Sequence, residues 1–202
     1  MTITIYTDGS CINNGKKNAV GAIGIYYGEN NLKNLGMAIT DENTKITNQT
    51  MELLACIEGL SNIESNDIIY LYTDSQYVIK SMTEWIKKWE LNGWIGSNKK
   101  PIENLEIIKS LNDIIKTKKV IFKHIRSHQE PPNDITSLEY KHWYGNKMAD
   151  ELATTACKEY LETLKNKQLD NEDDDNQEVK KKKIVKRKKK LNIDETKLEN
   201  NI

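Results

Sequence analysis

The sequence has few cysteines, no clustered histidines and no long apolar run, and each absence excludes a class of protein. Its three cysteines, Cys11, Cys56 and Cys157, are far apart and form no Cys-x-x-Cys pair, which argues against zinc or disulfide frameworks and favours a reducing compartment. No stretch reaches the roughly 20 apolar residues of a membrane span. No basic and apolar leader precedes the first strand pattern. We therefore expect an intracellular protein of the cytoplasm or nucleus, without membrane association.

The sequence also lacks a net charge, because 30 Lys and Arg residues balance 30 Asp and Glu residues. This excludes a uniformly basic nucleic-acid coat but not local patches. The balance hides a segregated tail, in which an acidic block, 170–178, precedes a basic block, 180–190. Such runs bury too little apolar surface to offset the entropy of ordering, so we predict a disordered low-complexity tail over residues 165–202. Residues 1–164 are long enough to form one domain.

Three interpretations of the basic block stay open. It is a solvated extension without a role, a nuclear localisation signal, or a non-specific tether to nucleic acid. Its composition is compatible with all three.

Short β-branched and apolar segments alternate with turn residues in the first 40 positions. Segments 2–7, 19–27 and 32–40 predict an antiparallel meander, with a turn at Asn13-Asn14-Gly15. Two further strands are predicted at 68–72 and 120–125. Helical periodicity predicts helices from Asn48, which is a candidate N-cap, over 75–82, over 102–115 and from Asn146. This order of elements indicates an α/β fold.

Two of the predicted strands end in the same dipeptide, Thr-Asp, at Asp8 and Asp74. If the strands are neighbours, the two carboxylates meet at one edge of the sheet, where like charges repel unless a cation lies between them. Glu52, in the first turns of a predicted helix, and Asp150, near the start of the closing helix, would complete a site for a divalent metal. Taken singly, each acid is an ordinary turn or helix residue, and only their joint occurrence favours the metal site.

Several segments are together more specific than any single acid. They are Tyr-Thr-Asp-Gly-Ser at 6–10, Asn-Gln-Thr-Met-Glu-Leu at 48–53, Tyr-Thr-Asp-Ser-Gln-Tyr-Val at 72–78 and Gly-Asn-Lys-Met-Ala-Asp-Glu-Leu-Ala at 145–153. In order and spacing, and with the tryptophan- and lysine-bearing segment between them, they resemble the ribonuclease HI family over residues 1–164. The resemblance implies a ribonuclease H-like fold, a five-stranded mixed sheet flanked by helices, and hydrolysis of the RNA strand of an RNA–DNA hybrid duplex.

The resemblance also assigns catalytic residues. Asp8, Glu52, Asp74 and Asp150 match the metal-binding acids of the family, and His128 matches its mobile histidine. The implied cofactor is a pair of Mg²⁺ ions, with Mn²⁺ as an alternative, about 3.5–4 Å apart, on either side of the scissile phosphate. Cleavage would leave 5′-phosphate and 3′-hydroxyl ends.

Substrate-binding residues follow from the same matching. They fall into readers of the 2′-hydroxyl (Asn14, Asn48 and Gln49), a DNA-phosphate pocket (Lys45, Thr47 and Asn104), a DNA channel (Tyr77, Trp85 and Ser97) and a projection called the handle (Trp89 and Trp94). Each tryptophan has an alternative role in packing, and Asn48 in capping its helix. We expect a monomer.

One departure and two rival functions remain. The loop between His128 and Asp150 is longer than in compact bacterial members, so that roles for Lys141, His142 and Trp143 stay open.

A non-catalytic hybrid-binding module would be expected to lack one of the acids, and none is missing. A DNA-cutting or strand-transfer domain, as in integrases and transposases, shares the fold and metals, but the handle-like segment and the Asn-Gln pair favour the hybrid nuclease.

Overall fold

A computed structural model describes residues 2–167, which form a sheet covered by helices. The strands are β1 (Thr2–Ile12), β2 (Val20–Tyr26), β3 (Leu35–Ile39), β4 (Ile68–Thr73) and β5 (Lys119–His124). The helices are α1 (Asn48–Ser61), α2 (Gln76–Lys80), α3 (Ile86–Leu91), α4 (Leu105–Lys116) and α5 (138–160), and a π-helical turn, Ser81–Trp85, lies between α2 and α3. A second unit begins at Leu161, and its residues 161–167 are helical.

The strand order is β3-β2-β1-β4-β5, which confirms the predicted five-stranded mixed sheet. Strands β1 to β3 form the predicted antiparallel meander, whereas β4 and β5 run parallel to β1. Tyr6 of β1 is in register with Tyr72 of β4. The two acids that follow, Asp8 and Asp74, therefore lie at the same edge of the sheet.

Side-chain alternation along the strands divides the core into two layers. Ile5 and Leu71 point to one face, where they pack with α1 and α4 through residues such as Leu53 and Ile108. Their neighbours Tyr6 and Tyr72 point to the other face and pack against α5. Successive strand residues face opposite sides, so both layers follow from one alternating sequence.

Small residues allow α5 to lie close to the sheet. A Cβ at Gly24 of β2 would overlap the carbonyl oxygen of Ala149, and one at Gly36 would lie 2.6 Å from the carbonyl oxygen of Leu152. Gly24 and Gly36 are register partners on adjacent strands, and Asp8 is the partner of Gly24 on its other side. The glycines thus bring the backbone of α5, and with it Asp150, close to β1.

The predicted start of the closing helix at Asn146 is wrong, because α5 begins at residue 138. Tyr140 and Tyr144 lie one turn apart on α5, and their rings stack on each other 6.3 Å apart. These aromatic residues extend the apolar face toward the N-terminus of the helix. Asp150 is consequently in the interior of the helix, three turns from its start, and not in its first turn.

The N-cap of α1 also differs from the prediction. Thr47, which has an extended backbone, caps the helix by accepting a hydrogen bond from the backbone N–H of Thr50 at 3.1 Å. Asn48 is the first helical residue, so its side chain is not used in this cap.

Among residues 2–167, no helix is both long and apolar enough to cross a bilayer. The predicted disordered tail lies mostly outside the described residues, which end at 167. Its acidic and basic blocks fall wholly outside them, and the predicted domain boundary after residue 164 stays a prediction.

Candidate active site

The four predicted acids come from two strands and two helices. Asp74 directly follows β4, as predicted, but Asp8 lies within β1, which continues to Ile12. The difference arises because β1 pairs with β2 as far as Ile12, while its pairing with β4 stops at Tyr6. Asp8 is therefore at the point where β1 loses its parallel neighbour, which opens space for the acids.

Three of the acids form a compact group. Asp8, Glu52 and Asp74 each place one carboxylate oxygen within 4.8 Å of the others. A Cβ at Gly9 would overlap the backbone nitrogen of Glu52, so the absence of a side chain there lets α1 approach β1. Asp150 lines the same cleft but lies outside this group of three. Thr154, one turn further along α5, donates a hydrogen bond to it at 3.3 Å.

Burial and mutual repulsion both act on these carboxylates. The pKa of Asp8 is raised well above its usual range, first by burial and then by the charges of Asp74 and Asp150, against a smaller lowering by the N–H of Gly9. The pKa of Glu52 is raised in the same way, by burial and then by Asp8 and Asp74. Such shifts favour protonated acids unless a cation compensates the charge.

The donor set fits a hard divalent cation. All three clustered side chains are carboxylates, which suit Mg²⁺ and Mn²⁺ and do not suit softer metals. Oε2 of Glu52 is buried without a protein hydrogen-bond partner, although buried polar atoms are normally satisfied. A cation among the three carboxylates would give this oxygen a partner. It would also compensate the repulsion between the negative charges.

The acids open onto a cleft of about 460 Å³. His128 lines it from the loop after β5 and is solvent-exposed, in a left-handed backbone conformation with φ of 54°. Such a conformation is uncommon outside glycine and is frequent at functional sites. The predicted histidine is thus within the same cleft as the predicted acids.

Residues predicted to read the 2′-hydroxyl lie around the start of α1. Asn48 lines the cleft, and its backbone N–H donates to Oδ1 of Asn14 at 3.4 Å. Gln49, the next residue, is exposed, as is Asn14. Lys45 is exposed just before the cap residue Thr47. Asn48 is therefore in the cleft of the carboxylates, and Asn14 contacts it.

The residues predicted to line the DNA channel are on and near α2. The hydroxyl of Tyr77 accepts a hydrogen bond from Nδ2 of Asn104 at 3.2 Å, and its ring meets Trp85 edge-on. The Trp85 ring meets Trp89 in the same way. Asn104 therefore contacts a predicted channel residue directly. Ser97 is exposed in the segment between α3 and α4.

The cleft also holds residues that the sequence prediction did not assign, among them Arg126, Asn146 and Lys147, and it contains Trp143, whose role the sequence left open. The indole N–H of Trp143 donates to the carbonyl oxygen of Gln129 at 2.8 Å, which ties α5 to the loop that carries His128. Nζ of Lys147 lies 5.5 Å from the centre of the Trp143 ring. An earlier start for α5, which the aromatic spacing of 140–144 signals, would have placed Trp143 and Lys147 one turn apart on the helix.

The chain is similar to known proteins of one family. Residues 1–158 match the family described as RNase H. Ribonuclease H of Clostridium botulinum is 35% identical over 161 residues, which cover 78% of this chain and 97% of the relative. Ribonuclease H of Schizosaccharomyces pombe is 32% identical over 155 residues, and the match covers 77% of this chain and 53% of that longer protein.

The fold has solved counterparts. The foamy viral protease-reverse transcriptase in complex with an RNA/DNA hybrid is similar, with a TM-score of 0.59 and 26% identity. The match covers 77% of this chain and 20% of the viral chain. The similarity therefore extends over one part of that larger protein.

Proposed function

This chain belongs to the ribonuclease H family, and we propose that it is an endoribonuclease that hydrolyses the RNA strand of RNA–DNA hybrids. The observation that carries the proposal is the group of three carboxylates within 4.8 Å at the edge of the sheet, with a buried oxygen of Glu52 that lacks a protein partner. A viral protein of similar fold has been solved in complex with an RNA/DNA hybrid. The first observation supports dependence on a divalent metal, and the second supports an RNA–DNA hybrid as the substrate.

Asp8, Glu52 and Asp74 would hold the metal, and Asp150 would contribute from the adjoining wall of the cleft. When bound, a pair of Mg²⁺ ions supplies Lewis-acid activation of the attacking water and stabilisation of the leaving 3′-oxygen. The chain then needs no nucleophile of its own. The products would carry 5′-phosphate and 3′-hydroxyl ends.

The chain's own residues would orient the hybrid. The exposed side chains of Asn14 and Gln49, with Asn48 in the cleft, offer amide donors and acceptors, and the 2′-hydroxyl of RNA is both a donor and an acceptor. Lys45, Thr47 and Asn104 would bind phosphates of the DNA strand. Tyr77, Trp85 and Ser97 would line the channel that holds this strand. Phosphate contacts carry little sequence information, so cleavage should have low sequence specificity and binding should weaken with salt.

His128 would accept or deliver a proton at the edge of the cleft, since a neutral imidazole ring carries both an N–H donor and a nitrogen lone pair. The hydrogen bond from Trp143 to Gln129 holds the loop next to His128. A histidine on such a loop can act without being a ligand of the metal.

The remaining proposals concern the whole molecule. We propose that it acts as a monomer, which sedimentation of the full chain would test.

If the basic block tethers the protein to nucleic acid, a chain ending after Leu164 should bind hybrid more weakly, and its affinity should depend less steeply on salt. An unchanged salt dependence would exclude the tether and leave a localisation signal or a role-free extension.

A direct test uses four labelled substrates of one sequence: an RNA–DNA hybrid, a DNA duplex, an RNA duplex and single-stranded RNA. We expect cleavage of the RNA strand of the hybrid alone, only with Mg²⁺ or Mn²⁺, and end analysis should give 5′-phosphate products. Asp74→Asn serves as the inactive control. Cleavage or strand transfer on the DNA duplex would favour the integrase-like alternative, and binding of hybrid without cleavage would favour a non-catalytic module.

A further inference from the structure

A histidine that the proposed reaction does not use lies beneath the carboxylates. Nδ1 of His142, on α5, is 2.8 Å from the hydroxyl of Tyr6, and its Nε2 is 3.0 Å from the hydroxyl of Tyr72. The imidazole also stacks on the Tyr72 ring, with centroids 4.2 Å apart. We call these three residues the Tyr-His-Tyr clamp.

The clamp joins the two strands that carry acids. Tyr6 and Tyr72 are register partners on β1 and β4, and each lies two residues before an acid, Asp8 or Asp74. Since residues i and i+2 of a strand point to the same face, the clamp is one layer below the carboxylates. The third member, His142, is on the helix that carries Asp150.

A close approach of α5 to β1 makes these contacts possible. A Cβ at Gly145 would overlap the ring of Tyr6, so a larger residue there would push the helix and the ring apart. Gly145 lies about one turn beyond His142. The helix can therefore seat His142 between the two tyrosine hydroxyls only because this neighbouring position has no side chain.

The hydrogen-bonding capacities of the three groups are matched. A neutral imidazole offers one N–H and one lone pair, so one tyrosine accepts from the ring and the other donates to it. Burial, followed by the charge of Lys141, lowers the pKa of His142 and favours this neutral form. Burial also raises the pKa of both tyrosines, which keeps their hydroxyls protonated.

We infer that His142 is a positioning residue, which fixes the spacing of β1 and β4 through Tyr6 and Tyr72 and thereby holds Asp8 and Asp74 at the separation that a divalent cation requires. The inference rests on the proposed function, in which these acids are metal ligands. Without the clamp, mutual repulsion of the carboxylates would act on strands that are free to separate at their ends. The clamp should therefore act on metal affinity more than on any chemical step.

The test compares Tyr72→Phe, Tyr6→Phe and His142→Phe with the parent chain. Tyr26→Phe is the matched control, because Tyr26 packs on Tyr6 in the same cluster while both ring nitrogens of His142 are taken by the other two hydroxyls. Titration calorimetry with Mg²⁺ alone, on protein shown to be folded by circular dichroism, reports affinity without catalysis. Tyr72→Phe and Tyr6→Phe should each bind Mg²⁺ about two- to tenfold more weakly, the range of one lost hydrogen bond. His142→Phe, which loses both hydrogen bonds, should bind at least as weakly, and the control should bind as the parent does.

Kinetics and a double-mutant cycle distinguish a clamp that positions the acids from one that only stabilises the fold. In clamp variants, the Mg²⁺ concentration for half-maximal hybrid cleavage should rise, while the rate at saturating Mg²⁺ stays close to that of the parent. Tyr72→Phe should have little further effect in the His142→Phe background, because its partner is already absent. Should His142→Phe fail to fold, the milder Tyr72→Phe and Tyr6→Phe still decide the question.

The possible failures are distinguishable. If the parent chain cleaves hybrid but all clamp variants bind Mg²⁺ as it does, or Tyr26→Phe weakens binding equally, the clamp inference is wrong and the proposed function stands. If the parent chain neither binds Mg²⁺ nor cleaves hybrid, the proposed function fails and the clamp inference fails with it.

Discussion

Replacing Glu52 by Gln should stabilise the metal-free protein while abolishing its activity. The substitution keeps the shape of the side chain, removes one of the three clustered charges and supplies an N–H₂ group beside the remaining carboxylates. It also removes the unpartnered buried oxygen of Glu52, or replaces it with a group that can donate to Asp8 or Asp74. A proposed metal ligand is therefore expected to destabilise the metal-free protein.

The magnitude follows from the separation of the acids. Two unit charges at 4.8 Å, the limit for Asp8, Glu52 and Asp74, repel by about 3.5 kcal/mol at an effective dielectric constant of 20 and about 0.9 kcal/mol in water. Glu52 takes part in two such pairs in a cleft that is open on one side. After the cost of burying the new amide, we expect a net gain of about 2 kcal/mol in the free energy of unfolding at a pH where Glu52 and Asp8 are ionised in the folded parent chain. For a domain of this size, that gain raises the Tm by about 4–8 °C.

The gain should depend on pH in a defined direction. Because the pKa values of Glu52 and Asp8 are raised, the folded chain retains protons that the unfolded chain has released. The stability of the parent chain therefore falls as pH rises from the ordinary carboxylate range through these raised pKa values. The difference between Glu52→Gln and the parent should be small near pH 4, which is close to the ordinary pKa of a carboxylate, and should increase until both acids are ionised.

Urea unfolding in EDTA at several pH values measures this difference, with Glu64→Gln, at an exposed position, as the control. Adding Mg²⁺ should stabilise the parent more than Glu52→Gln, since bound metal stabilises the folded state by mass action. Equal stabilities of parent and variant across the pH range in EDTA would refute the reasoning, because they would mean that the three carboxylates do not repel one another in the folded chain.

Three further predictions concern the same site and its support. Asp74→Asn should abolish hybrid cleavage, whereas His128→Ala should slow turnover and leave residual activity, and an equal loss in single-turnover assays would contradict their different roles. Trp143→Phe keeps the ring but removes the donor to the loop carbonyl, so kcat should fall severalfold while Mg²⁺ affinity by calorimetry is unchanged; a parent-like kcat would exclude this loop contact from catalysis. Gly24→Ala should lower the free energy of unfolding by about 1–3 kcal/mol through overpacking under α5, and an unchanged urea midpoint would show that the helix can move away at no cost.

Local pattern predicted the individual strands, since each strand of the meander and each Thr-Asp strand carries its signal within about ten residues, whereas the five-stranded mixed sheet was predicted from the family resemblance. Asp8 and Asp74 could be placed together since parallel neighbours share an edge. The length of β1 beyond Asp8 could not be predicted, because it depends on pairing with β2 after β4 has ended. The start of α5 was misjudged because a polar, proline-containing loop precedes it and masked the helical spacing of Tyr140 and Tyr144, whose rings stack in the folded chain.

The contacts of the Tyr-His-Tyr clamp could not be predicted from the sequence pattern. Its members are separated by 136 and 70 residues, and no spacing rule links a helix histidine to two strand tyrosines. Tyr6 and Tyr72 read as ordinary strand residues, and their roles emerge only from register and from the glycine that admits α5.

The carboxylates repel one another, and the clamp holds together the two strands that carry Asp8 and Asp74. A bound metal would therefore stabilise the folded state. The bound cation would remove the repulsion that raises the pKa of Asp8 and Glu52, so among variants of the carboxylate layer weaker metal binding should accompany higher stability of the metal-free chain. Variants of the clamp should break this correlation. They lose hydrogen bonds in the layer below while all the charges remain, so they should weaken metal binding and also destabilise the metal-free chain, whereas Glu52→Gln weakens metal binding and stabilises it.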